Sequence, residues 1–177
     1  MMSLHMKMGL LLAALFALIY ALVAMIGASM GIHDFYFYLF LSFAIMAVQY
    51  MIGPKIVEWT MGVRYLSPEE YPELHRMVSE LAQRAGLPVP KIGISKTNLP
   101  NAFAFGRGHH DGRICVTSGI LKLLDPDELK AVIGHELSHI KNRDILTITL
   151  LSVIPMILYR VAWHMMWFGG GTGRRRD

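Results

Sequence analysis

Charge is scarce in this chain of 177 residues. Only 17% of its side chains are Asp, Glu, Lys or Arg, against 54% apolar, whereas soluble domains carry about a quarter charged. That deficit argues against an ordinary soluble domain and predicts a membrane protein. Cysteine is nearly absent too. Cys115 stands alone, so no intramolecular disulfide can form and nothing points to an oxidising compartment. Flanked by Ile114 and Val116, it reads as a structural thiol on a strand. The excess of base over acid is small, +4, and Arg174, Arg175 and Arg176 crowd at the tail. No basic stripe interleaved with aromatics is present, which excludes a nucleic-acid partner from the expectations.

The shortage of charge is concentrated in runs. Met8 to Ile32 holds none, a run of 25 residues, and a membrane helix needs about 20. After the short polar break Gly31-Ile32-His33-Asp34, residues Phe35 to Pro54 are again uncharged. The cluster Phe35-Tyr36-Phe37-Tyr38 suits a membrane interface. The expected fold class is an α+β membrane protein. It comprises a transmembrane helical hairpin over 1–54, a small zincin-like domain over 55–144, a third apolar helix over 145–168 and a flexible basic tail over 169–177. Lys7, Lys55 and Arg64 flank the two spans and the connecting loop has no Lys or Arg. The positive-inside rule then places the domain on the cytoplasmic side of the cell membrane, with the lipid bilayer as a partner. The arginine tail contradicts that rule if the third segment spans. Either this segment does not fully cross, or the tail leads toward a fourth helix.

Within the domain, Ser67-Pro68-Glu69-Glu70 reads as a capping box with proline at the first helical position, opening a helix with Leu74, Met77, Val78 and Leu81 on one face. Gly86-Leu87-Pro88 ends it. Lys91 to Ser95 and Arg113 to Thr117 read as strands, and Asp111-Gly112 as a turn. Asn101-Ala102-Phe103-Ala104-Phe105 alternates and suits a further strand. Ser118 to Leu124 reads as a short helix.

The most informative stretch is His135-Glu136-Leu137-Ser138-His139. Asp125-Pro126-Asp127-Glu128 predicts its helix start, with an N-cap, a proline at the first position and a carboxylate at the third. On that helix His135 and His139 lie one turn apart on one face. They suit two corners of a zinc site, and Glu136 sits beside the metal as general base toward a water. A buried helix with two merely hydrogen-bonded histidines is the bland alternative. The pair bracketing a Glu on a capped helix disfavours it.

With these parts in order, the chain resembles the HtpX family of integral-membrane zinc metalloproteases, relatives of the CAAX prenyl endopeptidases. The resemblance rests on the two-span N-terminus, on Asn101-Ala102-Phe103-Ala104, on Gly134-His135-Glu136-Leu137-Ser138-His139-Ile140 with Asn142-Arg143-Asp144 behind it, and on the apolar segment that follows. It implies an endopeptidase facing the cytoplasm that acts on proteins in membrane quality control. It also implies a third zinc ligand, a glutamate from a helix beyond this chain, so that the sequence is an N-terminal portion of a longer protease or a natural short form. Catalytic zinc normally has three protein ligands. Glu128 is about 10 Å along the axis from His135, too far to share its metal. Asp144, nine residues after His135, should face roughly the opposite side; it reads as a carboxylate at the helix end that either serves structure or stands behind the metal ligands, hydrogen-bonded to nearby groups. His109 and His110 are expected in a solvated loop, and His164 in the apolar segment. Asn101, Ala102, Phe103 and Ala104 are candidate substrate-binding residues through main-chain pairing. Ordinary sheet packing of Phe103 and Phe105 is the equal alternative. The rival to an enzyme is a membrane-anchored metal-binding or regulatory protein. A transporter has less support, since Arg160 is the one charge within an apolar span.

Overall fold

The computed structural model describes residues 3–168, and the tail expected over 169–177 lies outside them. Two apolar helices come first, α1 (Leu4–Ser29) and α2 (Phe35–Met61). Asp34 starts α2 by accepting from the Phe37 amide at 2.8 Å, an N-cap that satisfies one orphan donor. The helix does not stop at Pro54 but continues to Met61. A third apolar helix, α6 (Ile145–Phe168), packs on both. All three are long and apolar enough to cross a membrane. Their outer faces stay uncovered, with Phe40 75% and Leu158 63% exposed; apolar surface on that scale suits lipid, not water. Leu15 and Ile19 of α1 and Leu150 of α6 are buried where those two helices meet. Gln49, the most polar side chain of the second run, is buried and donates Nε2 to the Leu150 carbonyl at 2.7 Å. A polar group in an apolar bundle is thereby satisfied.

Between α2 and α6 the chain builds a four-stranded sheet in the order β1-β2-β4-β3. These are β1 (Val63–Tyr65), β2 (Lys91–Ser95), β3 (Ala102–Phe105) and β4 (Arg113–Thr117). β2 and β4 run parallel at the centre, β1 is antiparallel to β2, and β3 antiparallel to β4. β4 is buried at every position, as a strand covered on both faces must be. One face carries α3 (Pro72–Ala85), α4 (Ser118–Leu123) and α5 (Pro126–Lys141). Val78, Ile92, Ile114, Val116, Ile133 and Ile140 meet there in the main core. The other face meets the membrane helices: Phe105 and Cys115 pack on Val57 with Met61 and Met156 around them. Burial pushes the Cys115 thiol up to about 12, so it is the inert structural thiol its flanks suggested.

The last turn of α2 is tied to the sheet by charge. Arg113, nearly buried, meets Glu58 at 3.1 Å and Asp111 at 3.0 Å, and Tyr65 donates its hydroxyl to Glu58. Burial, with the Glu58 carboxylate beside it, raises the Tyr65 hydroxyl well above its ordinary value. Burial alone would raise Asp111, but hydrogen bonds from Arg107 and Arg113 hold it below the usual carboxylate range. An ion cluster at the foot of α2 therefore joins the membrane part to the domain.

One expectation needs correction here. The helix signalled at Ser67-Pro68 begins instead at Pro72, and residues 68–70 form a turn. A helix opened at Pro68 would have placed Pro72 in its interior, where the ring clashes with the carbonyl four residues back and the amide is missing. Half of the box survives, because Glu70 still accepts from the Ser67 amide at 3.2 Å while pairing with Arg64.

Candidate active site

α5 starts as its sequence signals. Asp125 accepts from the amides of Asp127 and Glu128, both at 2.9 Å, and Glu128 reaches back to the Asp125 amide at 3.1 Å. Leu129, Ile133, Leu137 and Ile140 bury one stripe against the sheet, which leaves the adjoining stripe to the site. His135 and His139 stand on it with ring centroids 4.9 Å apart. One ligand atom from each of His135, Glu136 and His139 lies within 4.8 Å of the others. Among the described residues no other group of three or more such side chains forms.

Asp144 departs from the expected placement. It does not face away: its Oδ2 lies 3.0 Å from His139 Nδ1. The reason is a break in the helix. α5 ends at Lys141, Asn142 caps it, and Arg143 takes φ +62°, a left-handed conformation rare outside glycine. The chain turns back there, so helical spacing no longer applies, and α6 starts at Ile145. With its proton on Nδ1, His139 donates to Asp144 and keeps Nε2 as the lone pair for a metal. Replacing Asp144 by Asn should weaken metal binding about 10- to 100-fold, measured by competition with a chromophoric chelator; unchanged affinity would remove Asp144 from the site.

The other partner of the site is β3, an edge strand. The Ala104 amide donates to Glu136 Oε2 at 2.9 Å. In an antiparallel ladder main-chain groups alternate in direction. Ala102 and Ala104 therefore turn theirs outward, and Phe103 and Phe105 turn theirs toward β4. Side chains alternate as well: Ala104 enters the main core, while Phe103 and Phe105 lie on the membrane-helix side with ring centroids 5.7 Å apart. Asn101 precedes the strand, exposed, with its amide donating to Thr117 Oγ1 at 2.9 Å. The remaining candidates lie elsewhere. Glu128 belongs to the cap of α5. His109 Nε2 meets the Lys141 carbonyl at 3.0 Å, bracing the end of α5, and His110 follows it in a short 3-10 turn. His164 lies well along α6. The contact of the Ala104 amide with Glu136 left no local mark in the sequence.

Two imidazoles one turn apart, a carboxylate between them held by an edge strand, and a long apolar helix starting just beyond thus stand together at one end of α5. The chain belongs to peptidase family M48, whose model matches residues 68–176. It is 52% identical over 161 residues to the Protease HtpX homolog of Methanothermobacter thermautotrophicus, covering 91% of this chain and 62% of that protein. To the Protease HtpX homolog of Thermococcus sibiricus it is 42% identical, covering 99% and 60%. The chain thus spans about three fifths of the length of these curated relatives. Among solved structures, S. mikatae Ste24p shares the fold with a TM-score of 0.53 and 23% identity, over 90% of this chain and 38% of that one.

Proposed function

We propose that the chain carries the metal-binding core of a membrane-bound zinc endopeptidase. Its domain faces the cytoplasm, and it cuts misfolded membrane or cytoplasmic proteins. The observation that carries this is the Glu136 carboxylate, set between two histidines and gripped by an outward amide of an edge strand.

The donor set fits a borderline metal such as zinc, with imidazole nitrogens and a carboxylate within one coordination sphere of each other. His135 and His139 would hold it, with Asp144 fixing the His139 ring. With Glu136 as the base, a third protein ligand is needed besides these two imidazoles. Bound there, zinc would polarise the scissile carbonyl and acidify a water. Glu136 accepts the water's proton on the oxygen that Ala104 leaves free and then delivers it to the leaving amine. Asn101, Ala102, Phe103 and Ala104 hold the peptide extended. The outward groups of Ala102 and the Ala104 carbonyl supply main-chain bonds, while Phe103 and Phe105 serve packing on the membrane side. On this reading the segment pairs through its main-chain edge and packs through its phenylalanine side chains.

The rival is a non-catalytic, membrane-anchored metal-binding protein, favoured by the small number of histidine ligands. Purified chain in detergent separates the two by metal analysis and casein cleavage. Stoichiometric zinc with chelator-sensitive cleavage would support an enzyme whose third ligand lies within this sequence; neither zinc nor cleavage would favour an incomplete or non-catalytic unit.

A further inference from the structure

Two outward amides of β3 and the residue after it are already taken, from two different helices. Ala104 gives its amide to Glu136 of α5. Gly106, two residues on and on the same edge, gives its amide to Thr149 Oγ1 of α6 at 3.0 Å. Thr149 is 2% exposed, on a helix long and apolar enough to cross the membrane. Its methyl packs against α2, 3.5 Å from the place a side chain at Gly53 would occupy. Hydroxyl and methyl thus do separate jobs, one on the strand and one between the helices.

We propose that Thr149 is a positioning residue for peptide pairing: its hydroxyl pins the end of β3 to the membrane helix and fixes where the open edge stops relative to Glu136. This rests on the reading of β3 as the strand that holds substrate. Gly106 is buried, so no water replaces the hydroxyl if it is removed, and the strand end must shift to satisfy its amide. A shift there moves Ala102 and Ala104, the pairing groups, before it moves the histidines, which sit on α5. The effect therefore falls on peptide binding and not on metal binding.

Thr149→Val keeps the methyl packing and puts a methyl in place of the hydroxyl; Thr149→Ser keeps the hydroxyl. Hydrogen exchange of the segment 102–108 in detergent reads the pin directly. The Val variant should exchange at least tenfold faster than the parent at Gly106, and the Ser variant within about twofold of it. Peptide cleavage should show KM raised at least fivefold in the Val variant, with bound metal unchanged and KM restored by Ser. Equal exchange in Val variant and parent overturns the proposal, and so does faster exchange with an unmoved KM. A parent that cleaves no peptide sinks the peptidase reading instead, while the exchange result still decides whether Thr149 pins the strand.

Discussion

Glu136→Gln should lower peptide hydrolysis by at least about a thousandfold, within the range a positioned general base supplies, while zinc content stays that of the parent. Gln is nearly isosteric, and its amide oxygen can still accept from Ala104, so the bond that orients the side chain survives. What disappears is the lone pair basic enough to take a proton from water. The histidines are untouched, so metal analysis should be unchanged. Retained cleavage would place the base elsewhere; lost zinc would show that Glu136 is a ligand and not a base. The comparison decides between the two roles that its position beside His135 and His139 leaves open.

The second large effect is on stability. Gly106→Ala should destabilise the domain by at least about 3 kcal/mol. Gly106 has φ +143°, where only glycine is at ease, and strain of that kind costs about 1–3 kcal/mol. A methyl would also overlap the carbonyl oxygen of Asp111, with the next backbone atom only 3.1 Å away. Backbone cannot rotate aside as a side chain does, so the loop that carries Asp111 must move, and with it the Arg113 ion cluster. Gly134→Ala is the contrast. Gly134 lies inside α5 with nothing within 4 Å of an added methyl, and Ala there should stabilise by up to about 1 kcal/mol. Thermal unfolding of both variants in one detergent checks the pair. A Gly106→Ala protein melting with the parent would refute the account of this turn.

The strands at 91–95 and 113–117 and the start of α5 could be read from residue order alone, since alternation, proline and capping carboxylates act over a few residues. His135, Glu136 and His139 were legible for the same reason, being neighbours on one helix. Asp144 was not. Its place depends on the left-handed Arg143, and a non-glycine residue in that conformation gives no compositional warning. Ser67 misled because Pro72, only five residues on, vetoes the earlier start. The Ala104–Glu136 contact joins positions 32 apart, and Gly106–Thr149 joins positions 43 apart. Such pairings are set by how α5, α6 and the sheet pack, so no local pattern announces them. Arg113 reads as an ordinary strand charge until its three-way burial with Glu58 and Asp111 is seen.

The same capped edge has a consequence for solubility in the crowded layer beside a membrane. An exposed strand edge is a template for a second copy, and proteins usually blunt such edges with charge, proline or a cover. β3 carries neither charge nor proline: its residues are Ala, Phe, Ala and Phe. Its protection is internal. Glu136 and Thr149 take alternate donors, so a neighbouring strand that tried to dock along the edge would find its ladder broken after a single repeat. The stretch of edge left before those two bonds is thereby too short to seed a growing sheet.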